Sequence, residues 1–319
     1  MEFHSAKQIS PDNLITTNYD LFILVAGYEN RSVYIPLHYK EIKADIKVAL
    51  AFEEKSNESQ RKSNDTFLQN QGFRFIPVSG EGNLDIEPLF DEIFRKSEKD
   101  HIHVLIDYSS MTKVWYSSLI NYLIGNSKTC SFITVHFTYT PANYSEPKKA
   151  SPVKYNNKIS YPSRKETDLS RQTALIIGLG LDKAKPELLK KSLAPALTML
   201  LYADPSNEVK YVEKVFKNNQ DIIEQTEVRN LISFPLFNMD LTNEILTDLC
   251  LKLREKYNVV IAPVGPKVLS LLALLLSSRY PDISVIRVSS GSNAPVFDRL
   301  AFGLPLVYSV EFVSDEMEI

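Results

Sequence analysis

The sequence predicts an α/β protein of two tandem parallel-sheet domains related by internal duplication. Three observations carry that prediction. First, one long pattern occurs twice. Around Lys113 the chain reads FIPV, an acidic amphipathic stretch, HVLID, the turn YSSMTK, an apolar helix pattern and SFITVHF. Around Lys267 it reads ISFPL, another acidic amphipathic stretch, VVIAP, VGPK, an apolar helix pattern and ISVIRV. Lys113 to Ile133 spans 20 positions and Lys267 to Val285 spans 18, so the spacing agrees closely. Second, the chain alternates strand-like and helix-like segments, the pattern of a parallel sheet with helices on its faces. Third, TALIIGLGLD (173–182) restarts the order that LFILVAGYE opens. A repeat of this length is a supersecondary unit and sets the architecture.

The elements follow in order. LFILVAG (21–27) is an unbroken apolar run bounded by a turn, as in a strand covered on both faces. A helix is expected over Asn30 to Glu41, then a second strand over IKVALAF (46–52). EEKSNESQRKSND (53–65) reads as a polar loop, with room for a short helix before Gln71. FRFIPV (73–78) is the third strand. In the Asp85 to Lys99 segment, Ile86, Leu89, Phe90, Ile93 and Phe94 recur at helical spacing. HVLID (103–107), a helix from Met111 to Gly125 and SFITVHFTY (131–139) complete a Rossmann-like first domain, residues 1–140. The second domain, residues 172–319, is expected to place strands at 173–182, 197–204, 231–236, 259–263 and 283–288. Its helices are expected near 208–218, 241–256 and 267–278, and LPLVYSVEF (304–312) reads as a further strand.

Between the domains, residues 141–171 carry four prolines and seven Lys/Arg against three acidic residues, with no apolar period. This segment reads as a solvated linker or as a basic, tyrosine-bearing flap over an anionic ligand. The whole chain of 319 residues has net charge −3, which argues against non-specific nucleic-acid binding; a local contact through 141–171 is not favoured. Cys130 and Cys250 are the only cysteines, too few for a disulfide framework or metal cluster, and they fit a reducing cytoplasm. MEFHSAKQISPDN lacks the apolar core of a signal peptide, and Val268 to Ser277 is too short to span a bilayer. The expected protein is cytoplasmic, without a membrane partner.

In open parallel sheets, ligands bind beyond the carboxyl ends of the strands, where helix N-termini offer free N–H groups to anions. Three turns there supply the candidate ligand-binding residues: Gly27, Tyr28, Glu29, Asn30, Arg31 and Ser32; Asp107, Ser109, Ser110, Met111, Thr112 and Lys113; and Gly265, Pro266 and Lys267. Gly27 permits a tight turn, and Asn30 or Ser32 suits a helix cap. Arg31 reads either as a phosphate fork or as the partner of Glu29 or Glu41. Ser109 and Ser110 suit N-caps, with Thr112 and Lys113 in the first helical turn, where a lysine invites a compensating anion. Asp107 either enters the site or orients the serine turn. Pro266 suits a helix start on structural grounds. GLGLD (178–182) lacks the third glycine of a dinucleotide fingerprint, so no NAD or other cofactor is expected.

Catalytic and metal constellations are missing from the sequence. His4, His38, His101, His103 and His136 form no HExxH, and there is no GxSxG elbow or GxxxxGK[ST] loop. His101 and His103 alternate on a strand and read as packing residues.

Asp107, Ser109, Thr112 and Lys113 resemble the aspartate–threonine–glycine–glycine–threonine–lysine turn of CARF domains, with Ser110 and Met111 in place of the two glycines. The duplication, roughly 20–140 and 173–290, is similar to SAVED domains, which look like two fused CARF units. That resemblance implies a sensor of a nucleotide second messenger, of cyclic-oligonucleotide type, in antiviral defence, acting on an effector protein supplied in trans. It leaves two alternatives: a metal-independent ring-nuclease-like or nucleotide-hydrolysing enzyme, and a scaffold subunit of a defence complex.

Overall fold

Unbroken apolar runs become strands covered on both faces, and they set the layers of the molecule. The computed structural model describes residues 1–54, 56–80, 84–96, 99–125, 130–145, 168, 170–287 and 299–314. Its strands are β1 (Glu2–Ile9), β2 (Asn18–Ala26), β3 (Lys43–Phe52), β4 (Arg74–Val78), β5 (His101–Asp107), β6 (Phe132–Tyr139), β7 (Thr173–Gly178), β8 (Leu197–Ala203), β9 (Leu231–Phe234), β10 (Asn258–Pro263), β11 (Ser284–Val285) and β12 (Leu306–Val313). The α-helices are α1 (Asn13–Thr16), α2 (Tyr34–His38), α3 (Ser59–Asn70), α4 (Glu87–Lys96), α5 (Lys113–Gly125), α6 (Ala184–Leu193), α7 (Val209–Asn218), α8 (Gln220–Glu224), α9 (Met239–Arg254) and α10 (Lys267–Arg279).

The chain divides into two units, Met1–Asn143 with Val296–Ile319, and Tyr144–Pro295. The first holds a seven-stranded sheet in the order β1-β12-β6-β5-β2-β3-β4. Strands β6, β5, β2, β3 and β4 run parallel; β12 pairs antiparallel with β6, and β1 pairs antiparallel with β12. The second unit holds an all-parallel sheet, β11-β10-β7-β8-β9. The parallel orders coincide: the first strand is central, the next two lie on one side, and the last two lie on the other. Both units are therefore Rossmann-like, with a switch point between β2 and β5 in one and between β7 and β10 in the other.

The cores follow the sequence pattern. Leu21 to Ala26 of β2 and Ala174 to Ile177 of β7 are buried throughout. Phe22 packs edge-on against Phe73 at 5.2 Å, and Trp115 of α5 is fully enclosed. Val268 to Ser277 of α10 is buried along its whole length, so its unbroken apolarity serves the core of the second unit. Among the described residues no helix is long and apolar enough to cross a membrane.

Several expectations need correction. The second domain does not run continuously from 172 to 319, because β12 pairs with β6 and β1 in the first unit. Its apolar residues cover an edge that β6, buried almost throughout, would otherwise leave open. The expected helix from Asn30 to Glu41 is a 3₁₀ turn at Asn30–Val33 followed by the short α2. The polar loop expected up to Asp65 is largely α3, which is held by Gln60–Asn64 and Arg61–Asp65 contacts one turn apart. Of the strand expected at 283–288, β11 takes Ser284–Val285, and position 288 lies outside the described residues. Strand β1 and helix α6 were not expected. Most of the basic segment 141–171 lies outside the described residues.

Candidate functional site

Strands β2 and β5 are hydrogen-bonded neighbours, so the turns that leave their carboxyl ends emerge side by side at the switch point. The structure brings these two predicted turns into contact. A Cβ on Gly27 would stand 3.3 Å from the Ser110 Cβ and equally close to Ser32. Gly27 has no positive φ, so closeness of the second turn explains the glycine better than left-handed backbone does.

An inner layer of buried polar groups shapes the first turn. Arg31 is only 3% exposed; its Nε donates to Glu29 at 2.6 Å and its Nη1 to the Thr140 carbonyl at 2.9 Å. Its guanidinium also lies 5.8 Å from the Tyr139 ring centroid. Burial, the largest single influence, lowers the Arg31 pKa, but the Glu29 carboxylate and Tyr139 together outweigh it, and the net shift is upward. Arg31 thus takes the pairing role, with Glu29 as partner. Arg299 adds a second cation 3.5 Å from Glu29, and its carbonyl accepts from the Arg31 N–H. Ser32 donates its hydroxyl proton to the Glu29 carbonyl. From α3, Asn64 Nδ2 reaches the carbonyls of Gly27 (2.9 Å) and Glu29 (3.0 Å) and Ser32 Oγ (3.0 Å). Sequence reasoning missed Asn64, since its segment read as loop; the i,i+4 polar pairs around it were the usable signal.

The second turn is built the same way. Asp107 is buried and accepts from Ser109 N–H at 2.9 Å and from Ser109 Oγ at 2.5 Å, and Thr140 N–H donates to that same Oγ at 2.8 Å. Asp107 therefore orients the serine turn, and Ser109 serves Asp107 instead of capping the helix. The cap is Thr112, whose Oγ1 accepts from Trp115 N–H at 3.3 Å, so Lys113 is the first residue of α5. Met111 is buried. Trp115 anchors the helix by donating its indole N–H to the Ser79 carbonyl at 3.2 Å and packing on Phe52 at 4.5 Å.

What remains partly exposed at this edge is Tyr28, Asn30, Ser110, Thr112 and Lys113. The Ser110 Oγ is enclosed and has no hydrogen-bond partner among the described residues; the same holds for the Oγ1 atoms of Thr138 and Thr140. Tyr28 has its pKa raised, first by burial and then by the Glu29 charge, so its hydroxyl stays protonated and can donate. A helix start carrying a lysine, with hydroxyls beside it, is a geometry that attracts an anion.

The corresponding edge of the second unit is closed by backbone. Gly265 N–H donates to the Gly178 carbonyl at 2.8 Å, so it is not available to a ligand. A Cβ on Gly265 would lie 2.1 Å from the Leu179 carbonyl oxygen, and one on Gly180 would lie 2.9 Å from the Gly265 Cα. The glycines of GLGLD and VGPK thus let two turns touch. Asn219 Nδ2 holds the Gly180 carbonyl at 2.9 Å from the other side. Pro266 precedes α10, and Lys267 is its first residue, both partly exposed.

The histidines have structural surroundings. His101 Nε2 and Thr134 Oγ1 are hydrogen-bonded at 2.8 Å, the His101 and His103 rings stack at 4.2 Å, and His136 Nδ1 is bonded to the buried Tyr19 hydroxyl at 2.7 Å. Among the described residues no group of three His, Cys, Asp or Glu side chains is placed to hold a metal ion. Both cysteines are buried thiols, and burial pushes that of Cys250 up to about 12. No protein-family model matches the chain, and no curated protein matches it.

Proposed function

We propose that the first unit is a sensor of a nucleotide-type anionic second messenger, bound at the β2–β5 switch point. The observation that carries this reading is the meeting of the Gly27–Ser32 and Tyr108–Lys113 turns at the carboxyl edge of a parallel sheet. Ser110, Thr112, Lys113 and the N-terminus of α5 supply donors and positive potential to phosphate. Tyr28 and Asn30 flank them. Arg31, Glu29, Ser32, Asp107, Ser109 and Met111 support the site from beneath. Pro266 and Lys267 offer a smaller, second anion-facing edge, with Gly265 as its packing residue.

The resemblance of the Asp107–Lys113 turn to CARF domains narrows the ligand to a cyclic oligonucleotide of antiviral signalling and gives the protein a regulatory role over an effector in trans. A thermal-shift screen of mono-, di- and cyclic oligonucleotides tests this. Ligand at about 100 times its dissociation constant should add roughly 2.7 kcal/mol of stability. The shift should vanish in a folded Lys113→Ala protein. Unchanged affinity in that variant would remove Lys113 from the site, and no shift with any nucleotide would remove the reading itself.

A further inference from the structure

The geometry points to a second ligand site in the Tyr144–Pro295 unit, one that takes a small organic cation. A cavity of about 500 Å³ opens where β8 ends and α7 begins, lined by Tyr202, Asp204, Ser206, Val212, Glu213 and Phe216 among others. That volume is in the range of small-molecule sites and is far larger than a bare metal ion needs.

Helix α7 is amphipathic, and Val209, Val212, Glu213 and Phe216 fall at i, i+3, i+4 and i+7, one stripe of the helix. No residue of α7 is fully buried, and Val209 is 75% exposed, so the stripe lies over the cavity without being covered by it. Lys210, Lys214 and Lys217 fall off that stripe, and none lines the cavity.

The chemistry of the walls selects the ligand. Tyr202 and Phe216 meet at 4.9 Å with their planes at 89°, which gives the cavity an aromatic corner. Its acidic groups are Asp204 and Glu213, and among the described residues no Lys, Arg or His lines it. Neither carboxyl group has an ion-pair or hydrogen-bond partner among the described residues. An anion would meet two like charges here; an ammonium group meets two carboxylates and the aromatic corner, while its carbon body covers Val209 and Val212. The loop carrying Asp204 is already fixed: Asp204 N–H donates to the Phe234 carbonyl at 2.9 Å, and Leu236 N–H to the Pro205 carbonyl at 3.1 Å. The site is therefore formed before any ligand arrives. This site is independent of the nucleotide reading and prefers the opposite charge.

The test is titration of the full chain, by protein-detected NMR or calorimetry, with choline, putrescine and phenethylammonium, and with 3,3-dimethylbutanol as the neutral counterpart of choline. At least one cation should bind saturably with a dissociation constant below about 10 mM. If choline is among them, the neutral alcohol should bind about tenfold more weakly. The near-isosteric Asp204→Asn/Glu213→Gln protein should lose about tenfold in cation affinity while keeping its circular dichroism spectrum. Phe216→Leu, which keeps an apolar side chain, should weaken cation binding as well. The inference fails if no cation saturates, if the neutral alcohol matches choline, or if the folded double variant binds as the parent does. Lys113→Ala should leave this binding unchanged, which separates it from the nucleotide site.

Discussion

Arg31 and Glu29 form a buried ion pair, Nε to Oε2 at 2.6 Å, directly beneath the turn that the sequence marks as ligand-binding. The pair converts an apparent phosphate fork into a support. Removing Arg31 leaves buried Glu29 with only the more distant Arg299 cation, at 3.5 Å, and breaking a buried pair typically costs about 3–5 kcal/mol. Arg31→Ala should therefore lower the unfolding free energy of the first unit, read from urea denaturation, by an amount at the lower end of that range. A loss below about 1 kcal/mol would mean that Arg31 is held less firmly and could turn outward.

Ser109 carries a second structural prediction. Its hydroxyl donates to Asp107 and accepts from Thr140 N–H, so Ser109→Ala strips a buried carboxylate and a buried amide of partners at once. The expected cost is about 1–3 kcal/mol in chemical denaturation, with the m-value unchanged. Ser110→Ala removes only an unpartnered hydroxyl and should be close to neutral for stability, while weakening any phosphate ligand.

Gly265 tolerates no side chain. Its added Cβ would stand 2.1 Å from a carbonyl oxygen of the backbone, which cannot rotate away. Gly265→Ala should destabilise the second unit by more than about 3 kcal/mol, seen as an early melting transition. Gly72 offers the contrast: φ is +79° and no atom lies within 4 Å of an added Cβ, so Gly72→Ala costs only backbone strain, about 1–2 kcal/mol.

The stability of the first unit should fall in acid through His136. Burial lowers its pKa to about 4 from the ordinary 6.5, with nearby His103 acting in the same direction. Tyr19, its hydroxyl pushed up by burial, keeps its proton and is hydrogen-bonded to Nδ1 of the neutral ring at 2.7 Å. Between pH 6.5 and 4 the unfolded chain takes up a proton that the folded chain refuses, so this contribution is complete above 6.5 and lost progressively below it. The loss reaches about 3 kcal/mol at the lower end. Urea midpoints measured across that range should drop, and His136→Gln should flatten the slope.

The alternation of strands and helices was legible because burial on both faces writes itself as unbroken apolar runs, as in Leu21–Ala26 and Ala174–Ile177. The turns at the strand ends were legible for the same reason. The division of labour inside them was not. Arg31, Asp107 and Ser109 are polar residues that sequence alone cannot sort into ligand-facing and inward-facing, because Arg31 and Ser109 are also tied to Thr140, distant in the chain, and Asp107 is turned inward through Ser109. Strand β12 was recognised but assigned to the wrong sheet, since pairing with β6 is a non-local choice. Strand β1, EFHSAKQI, lacks an apolar run because it lies at the margin of the sheet with much of its surface exposed.

The return of β12 to the first sheet makes that unit discontinuous, with the whole of Tyr144–Pro295 spliced between β6 and β12. Ribosomal synthesis must deliver the inserted unit before it delivers the strand that seals its host. The inserted unit can thus reach its native state while β6 still presents an unsealed margin of backbone donors and acceptors. Strand β12 then closes the first unit, so a chain arrested before Leu306 should be the aggregation-prone form.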